Sequence, residues 1–173
     1  MGGMQPSPLV IIMMGVSGCG KTTIGRLVAA RLGWAFFDGD DFHPPQNVAR
    51  MARGEPLTDE DRAGWLTILG ELLAGRLAAG EPAVLACSAL KASYRARLHA
   101  DDPRVALVYL RGSYELIYAR LTARRGHYMP ARLLESQFAA LEEPADALTL
   151  AVDAPPAETA ARVLAELGFD PPA

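Results

Sequence analysis

The stretch Gly15-Val16-Ser17-Gly18-Cys19-Gly20-Lys21-Thr22 lies between two segments of different pattern. The apolar run 9–14 before it predicts a buried strand, and the pattern over 21–32 predicts a helix. The eight residues match G-x-x-x-x-G-K-[ST], in which glycines let backbone N–H groups turn inward around phosphate oxygens. A strand, this loop and a helix in succession predict a site for a nucleoside triphosphate. The alternative is a glycine-rich turn that binds nothing.

The chemistry of the loop assigns roles to its last residues. Lys21 is expected to reach the β- and γ-phosphates, and the Thr22 hydroxyl to complete the shell of a Mg²⁺ ion. The helix that follows points its positive end at the same anion. For Cys19 we expect a small packing residue, with a reactive thiol as the alternative. The nucleotide-binding residues predicted here are Gly15, Ser17, Gly18, Cys19, Gly20, Lys21, Thr22 and Thr23.

Composition limits the class of protein. The chain has 173 residues, 50% of them hydrophobic and 21% charged, which is typical of one globular domain, expected here over 1–173. Its net charge of −3 and lack of a basic run argue against nucleic acid as a partner. No apolar segment approaches the roughly 20 residues of a membrane span, and no signal peptide is apparent. Two cysteines without metal-binding spacing indicate no oxidising compartment. We expect a cytoplasmic protein without a membrane partner.

Short apolar runs alternate with helical patterns along the chain. Strands separated by helices predict parallel β-α-β units, with helices on both faces of one sheet. Thr58 before three acidic residues predicts a helix start, and Gly33 and Gly80 predict helix ends. The fold class expected is therefore α/β, with a five-stranded parallel sheet. The predicted strands are 9–14, 35–38, 83–87, 105–110 and 148–152, and the predicted helices are 21–32, 45–53, 59–79, 92–99, 113–124, 131–140 and 156–167.

Acidic side chains follow the second predicted strand. Because ligands lie beyond the carboxyl ends of strands in open parallel sheets, Asp38 and Asp40 should face the phosphate loop. Asp38 could hold Mg²⁺ through water, and Asp40 could accept a proton from a phosphoryl acceptor. His43 could hydrogen-bond hydroxyl groups of that acceptor. The alternative is a solvated acidic loop that caps the next helix.

Two pairs of cations complete the candidate site. Lys91 and Arg95, four residues apart after the third strand, could bind an anionic acceptor, although exposed helix charges are common. Arg120 and Arg124, one turn apart near a helix end, could belong to a lid over the triphosphate. Placement against the helix dipole is the alternative for the second pair. Trp65 and the face formed by Gln137, Phe138 and Leu141 have the spacing of core residues, and no chemistry is assigned to them.

Several motifs together resemble bacterial gluconokinase of the small phosphate-loop type, which is similar to shikimate kinase and adenylate kinase. The resemblance covers about residues 10–152. The motifs with D-G-D-x-x-H-P and C-S-A-L-K-x-x-Y-R are more specific than the phosphate loop alone. The segments that carry it are G-V-S-G-C-G-K-T, D-G-D-D-F-H-P, N-V-A-R-M-A-R-G-E-P-L-T-D-E-D-R-x-x-W-L, C-S-A-L-K-A-S-Y-R, Y-L-R-G, R-R-G-H-Y-M and L-L-E-S-Q-F-A-A-L-E-E-P.

The resemblance implies a three-layer P-loop kinase fold with a helical lid at about 120–140 and an acceptor-binding region at about 40–64. It implies transfer of the γ-phosphate of ATP to the 6-hydroxyl of D-gluconate, with Mg²⁺, in a homodimer. Lys21, Asp40 and Arg124 are then the expected catalytic residues, with Asp40 orienting or deprotonating the hydroxyl.

The same resemblance extends the list of binding residues. It implies that Arg120 stacks on adenine, that Arg124 or Arg125 contacts phosphate, and that the turn 152–155 with Pro155 flanks adenine. The acceptor-side residues that it implies are Asp40, His43, Arg50, Lys91, Arg95 and His127, with Arg62 also within the acceptor-binding region.

Three other functions fit parts of the sequence. A shikimate kinase would share the paired aspartates but usually has a glycine-rich turn where this chain has Ser88-Ala89-Leu90-Lys91. A nucleoside monophosphate kinase would need a base-binding groove, for which the sequence gives no clear support. A nucleotide-sensing module would bind ATP without turning it over.

Overall fold

The computed structural model describes residues 7–124 and 131–169. The predicted strands and helices are all present, with ends that differ by at most two residues. The strands are β1 Val10–Met14, β2 Ala35–Asp38, β3 Ala83–Ala86, β4 Val105–Arg111 and β5 Leu148–Ala151. The helices are α1 Lys21–Leu32, α2 Pro45–Ala52, α3 Asp59–Ala79, α4 Ala92–Arg97, α5 Tyr114–Ala123, α6 Ala131–Ala140 and α7 Pro156–Glu166.

The five strands form one parallel sheet in the order β2-β3-β1-β4-β5. Strand β1 is central, and its Ile12 is in register with Leu85 on one side and Leu107 on the other. The predicted five-stranded parallel α/β fold is thereby confirmed. Because the strands are parallel, the segments after β1, β2 and β3 meet at one edge of the sheet.

Helices cover both faces of the sheet, as the sequence predicted. Along β1 the side chains alternate between two hydrophobic clusters and are fully buried in both. Ile11 and Met13 lie in the cluster with buried residues of α1, α5, α6 and α7. Ile12 and Met14 lie in the cluster with Trp65 and the leucines of α3. Burial on both faces explains why β1 is a continuous apolar run.

The helix ends follow the predicted signals. Thr58 and Asp61 form a capping box at the start of α3, in which each side chain accepts a hydrogen bond from the backbone N–H of the other residue. Gly33 and Gly80 end α1 and α3 in the left-handed conformation. A short 3-10 helix, Gly39–Phe42, was not predicted from the sequence. Four residues are too few for a hydrophobic period to predict a helix.

Within the residues that the model describes, no helix is long and apolar enough to cross a membrane. Helix α3, with 21 residues, is the longest of them and carries three acidic residues in its first turn.

Two glycines of α3 allow a matched test of the packing between α3 and α4. A Cβ at Gly70 would lie 2.6 Å from the carbonyl oxygen of Arg97, whereas a Cβ at Gly75 would meet no atom within 4 Å. We expect Gly70→Ala to lower the free energy of unfolding by about 1–3 kcal/mol through overpacking. Gly75→Ala should raise it by about 0.5–1 kcal/mol, because alanine reduces the entropy of the unfolded chain. Urea unfolding monitored by Trp fluorescence and circular dichroism measures both; equal stability of the two variants would contradict the close contact.

Candidate active site

The phosphate loop is held in a conformation that leaves donors free. Gly18 and Gly20 have φ angles of 82° and 99°, and a Cβ at Gly18 would lie 2.8 Å from the Leu121 side chain. The backbone N–H of Cys19 donates to the Val16 carbonyl at 3.3 Å. Within the described ranges, the N–H groups of Gly18 and Gly20 donate to no protein acceptor. They are therefore available to phosphate oxygens.

Cys19 is fully buried inside this loop. A Cβ placed on Gly15 would lie 2.6 Å from its sulfur, so the thiol fills the space between the loop and the start of α1. This placement agrees with the expectation of a small packing residue, and Cys19 lines the outer cavity described below.

Two side chains bring the loop and the end of β2 together. The Thr22 hydroxyl donates to Asp38 Oδ2 at 2.8 Å, and Asp38 Oδ1 accepts from the backbone N–H of Asp40 at 3.0 Å. Lys21 Nζ donates to the Val16 carbonyl at 3.1 Å. Asp38 therefore faces the phosphate loop, as the sequence predicted. A hydroxyl and a carboxylate are oxygen donors of the kind that Mg²⁺ prefers.

Three cavities lie along this edge of the sheet. The loop cavity, of about 170 Å³, is lined by Ser17, Gly18, Gly20, Lys21, Thr22, Thr23, Asp40 and Arg124. The central cavity, of about 260 Å³, is lined by Ser17, Lys21, Asp40, His43, Met51, Leu57, Arg62, Trp65, Ser88, Leu121, Arg124, Leu133 and Gln137. The outer cavity, of about 340 Å³, is lined by Gly18, Cys19, Gly20, Thr23, Ile24, Arg120, Arg124, Val152, Asp153, Ala154, Pro155 and Pro156.

The loop cavity and the central cavity share four residues. These are Ser17, Lys21, Asp40 and Arg124. The Asp40 side chain is 82% exposed and therefore open to both spaces. A group held by the loop can reach a molecule in the central cavity at this junction without crossing a protein wall.

His43 is held rigidly beside Asp40. Its side chain is only 4% exposed and stacks on Trp65, with ring centroids 4.2 Å apart and an interplanar angle of 14°. Trp65 in turn donates from Nε1 to the Gly39 carbonyl at 2.7 Å. His43 Nε2 lies 4.0 Å from Asp40 Oδ1. Trp65 is thus a core residue, as predicted, and it also lines the central cavity and supports His43.

The buried side chain of Asn47 determines which nitrogen of the neutral His43 ring carries the proton. Asn47 Nδ2 donates to the Asp61 carbonyl at 2.8 Å, which identifies this atom as the amide nitrogen, and it lies 3.4 Å from His43 Nδ1. His43 Nδ1 is therefore the acceptor, and the proton of the neutral ring is on Nε2. Burial lowers the pKa of His43 below its usual value, against the opposing effect of Asp40. The ring accordingly presents a neutral N–H donor on the side of Asp40.

Arg62 lines the central cavity. The family resemblance placed it in the acceptor-binding region, but its own sequence pattern predicted no separate role for it. Its Nη1 donates to the Leu57 carbonyl at 2.8 Å and to the Tyr94 hydroxyl at 3.3 Å. In the part of the chain that the model describes, its Nε and Nη2 make no hydrogen bond. The spacing of charges did not identify Arg62, because it follows three acidic residues and has the pattern of an exposed helix start.

The other predicted acceptor-side cations lie elsewhere. Lys91 Nζ pairs with Asp59 at 2.9 Å, and Arg50 Nη1 pairs with Asp61 at 2.8 Å. Hydrogen bonds from Tyr94 and from Lys91 lower the pKa of Asp59. Buried Arg95 donates to the carbonyls of the turn before α4 at 2.9 and 3.1 Å. Of the residues lining the central cavity, none is Lys91, Arg95 or Arg50. Each of these three cations is already bonded to an oxygen atom of the protein. The arrangement therefore does not support their predicted contact with substrate.

Gln137 contacts the phosphate loop directly, although its spacing indicated a core residue. Its Oε1 accepts from the backbone N–H of Ser17 at 2.7 Å, and its Nε2 donates to the Ser17 hydroxyl at 2.9 Å. The neighbouring Phe138 and Leu141 pack against the core, as predicted. A polar side chain within this apolar face was the one signal in the sequence that could have identified the contact.

Arg120 and Arg124 line cavities beside the phosphate loop. Arg120 donates to the carbonyl of Val152 and lines the outer cavity together with Pro155. Arg124 ends α5, is exposed and lines all three cavities. The predicted residues Arg125 and His127 fall outside the described residues.

Comparison with known proteins gives one consistent result. The shikimate kinase family model matches residues 17–167. The chain is 50% identical to a gluconokinase of Gluconobacter oxydans, over 83% of this chain and 80% of that protein. It is 47% identical to a probable gluconokinase of Mus musculus, over 80% of this chain and 84% of that protein. The crystal structure of a gluconokinase from Sinorhizobium meliloti superposes with a TM-score of 0.83 at 44% identity, covering 93% of this chain and 92% of that one. The fold is that of the shikimate kinase family, and the chain belongs to the gluconokinase family.

Proposed function

We propose that this protein transfers the γ-phosphoryl group of ATP to the 6-hydroxyl of D-gluconate, giving 6-phospho-D-gluconate and ADP. The observation that carries the proposal is the junction of the loop cavity with the central cavity, at which both share Lys21, Asp40 and Arg124. A donor held by the loop and an acceptor held in the central cavity would meet there. The gluconokinases that match most of the chain support gluconate as the acceptor.

The nucleotide would lie across the loop cavity and the outer cavity. Free N–H groups of the loop would bind the phosphates, and Lys21 would leave the Val16 carbonyl to reach the β- and γ-phosphates. Arg120 and the turn with Pro155 line the outer cavity, where the adenine would lie. Arg124 is positioned to neutralise phosphate charge because it reaches all three cavities.

Mg²⁺ fits the pair of oxygens formed by Thr22 Oγ1 and Asp38 Oδ2, two atoms that lie 2.8 Å apart. No group of three or more His, Cys, Asp or Glu side chains comes together within 7–124 and 131–169. A cation here would therefore be held by few protein ligands, as is usual for Mg²⁺ bound with phosphates and water. When bound, it would supply charge neutralisation between the β- and γ-phosphates.

The acceptor would be held by groups with complementary chemistry. Gluconate has a chain of hydroxyl groups and one carboxylate. The neutral His43 Nε2–H can donate to a hydroxyl, and Asp40 can accept from one. Lys21 and Arg124 also line the loop cavity, so among the described lysines and arginines Arg62 alone lines the central cavity without lining the loop cavity. We therefore assign the gluconate carboxylate to Arg62, which has a free edge of its guanidinium for a bidentate contact.

In the transfer step the 6-hydroxyl oxygen attacks the γ-phosphorus in line with the bond to the β–γ bridging oxygen. That bond breaks as the new P–O bond forms, and ADP leaves. The hydroxyl proton goes to the Asp40 carboxylate, which is exposed at the junction and is oriented by the hydrogen bond of its backbone N–H to Asp38. Lys21 and Arg124 neutralise the charge on the transferred group.

A coupled assay with Mg·ATP separates the proposal from its alternatives. Gluconate, shikimate and nucleoside monophosphates are offered in turn, and ADP formation is measured. Turnover with gluconate alone supports the proposal. Transfer to none of them would indicate a protein that senses ATP. A homodimer, a lid at about 120–140 and an acceptor-binding region at about 40–64 remain predictions of the family resemblance. A cytoplasmic location and a single domain over 1–173 remain predictions from the composition of the sequence.

Asp40 and Asp41 give a matched pair of variants. Both are exposed acids of the same 3-10 helix, but only Asp40 lines the described cavities. We expect Asp40→Asn to lower kcat by about 10²–10⁴-fold through loss of the proton acceptor. The affinity for ADP, measured by calorimetry, should stay within twofold of wild type. Asp41→Asn should turn over normally; equal loss in both variants would remove Asp40 from the role of base.

Arg62, Lys91 and Arg95 test which cation binds the acceptor carboxylate. Arg62→Met should raise KM for gluconate by about 10–100-fold, the size of a lost charge-assisted pair, with little change in KM for ATP. Lys91→Met should change KM for gluconate by less than threefold, because Lys91 pairs with Asp59. A larger rise in KM for gluconate in Lys91→Met than in Arg62→Met would assign the gluconate carboxylate to Lys91, as the sequence predicted. Arg95→Met should reduce thermal stability rather than affinity, since Arg95 is bonded within a turn.

A further inference from the structure

The side-chain amide of Gln137 forms a two-point contact with one residue of the phosphate loop. Gln137 lies in α6, 120 positions along the chain from Ser17. The Ser17 N–H can only donate, so the oxygen of the amide must face it, and the amide NH₂ must then face the Ser17 hydroxyl. The two hydrogen bonds therefore fix both the orientation of the amide and the position of Ser17.

Ser17 lies where the transferred phosphoryl group would pass. It is one of the four residues that line both the loop cavity and the central cavity. Its N–H is occupied by Gln137, whereas those of Gly18 and Gly20 have no protein acceptor among the described residues. Gln137 thus restrains the edge of the loop that faces the acceptor and leaves the other donors to the phosphates.

Helix α6 is held in place by core packing and by a backbone hydrogen bond just beyond its end. Leu134, one turn before Gln137, is 1% exposed and packs in the core that contains Ile11 and Met13. Just beyond the helix, the backbone N–H of Glu142 donates to the carbonyl of Leu90 at 2.8 Å. The helix is therefore tied to the turn after β3, which belongs to the same edge of the sheet as the phosphate loop.

We propose that Gln137 is a positioning residue for phosphoryl transfer: through Ser17 it holds the acceptor-facing edge of the phosphate loop at the junction of the two cavities. The proposal rests on the transfer function proposed above. A group that aligns reactants acts mainly on turnover, because small displacements of reacting atoms slow the chemical step more than they weaken binding.

The test uses Gln137→Met, which keeps the length of the side chain and removes both hydrogen bonds, and Ser17→Ala, which removes the hydroxyl contact alone. Ser136→Ala is the control, because the Ser136 hydroxyl bonds to the Leu133 carbonyl within the same helix. Steady-state kinetics with gluconate and Mg·ATP, ADP affinity by calorimetry and the thermal midpoint are measured for the single variants and for the Gln137/Ser17 double variant.

Gln137→Met is expected to lower kcat on the order of tenfold, with ADP affinity and the thermal midpoint close to those of Ser136→Ala. Ser17→Ala should lower kcat in the wild-type background and have no further effect in the Gln137→Met background, since the contact is already lost. A wild-type kcat in Gln137→Met would overturn the proposal. The proposal would also be overturned if Gln137→Met lost ADP affinity by the same factor as kcat, or if its thermal midpoint fell well below that of Ser136→Ala. Additive effects of Gln137→Met and Ser17→Ala on log kcat would overturn it as well.

The outcome is separable from the test of the proposed function. Turnover of gluconate by the wild type tests that function. The ratios of kcat between wild type and the Gln137 and Ser17 variants test the role of Gln137. If the wild type does not phosphorylate gluconate, the same ratios are measured on the slow hydrolysis of Mg·ATP without an acceptor, in which water takes the place of the hydroxyl.

Discussion

A loop that binds phosphate must hold its shape without using the N–H groups that the phosphate needs, and much of this site depends on that constraint. In this protein the shape of the loop comes from the strand before it and from packed side chains, not from the N–H groups that face the anion site. The central strand β1, buried on both faces, fixes where the loop begins. Cys19 fills its interior, and Leu121 of α5 closes against Gly18. Left-handed backbone at the glycines then turns the remaining N–H groups toward the space for the anion.

The charges around the site divide into two groups by what they already bind. Several cations near the acceptor side are neutralised within the protein, as in the pairs of Lys91 with Asp59 and Arg50 with Asp61. These pairs fasten α3 to α4 and to α2. Lys21, Arg62 and Arg124 line the cavities instead and have no carboxylate partner among the described residues. The positive potential is thereby concentrated where anionic substrates would lie.

The sequence predicted the sheet and the position of the phosphate loop between β1 and α1 well, because both depend on local patterns. Five apolar runs separated by helical periods define the parallel sheet, and the phosphate loop has fixed spacing. The pairing of Thr22 with Asp38 follows from the parallel sheet, in which the carboxyl ends of β1 and β2 lie at the same edge on either side of β3. The 3-10 helix escaped prediction because four residues carry no period.

The acceptor half was harder to predict, because it depends on tertiary contacts between distant residues. Whether a cation lies free or paired is decided by residues tens of positions away, as with Lys91 and Asp59. Gln137 and Ser17 are further apart still, and no spacing rule joins them. Trp65 has the burial of a core residue, and only its stacking on His43 gives it a place beside the site.

One carboxylate constrains how such a site can diverge. Asp38 accepts from the Thr22 hydroxyl with one oxygen and from the backbone N–H of Asp40 with the other, so it holds in place both the proposed metal ligand Thr22 and the proposed proton acceptor Asp40. A change at Asp38 would misalign donor and acceptor together and offers no gradual route to a new specificity. Residues on α2 and α3 that line the central cavity, such as Met51 and Arg62, can vary without moving Asp38. Enzymes built on this plan should therefore acquire new acceptors by exchanging the helices that follow the aspartate, while the aspartate itself stays in place.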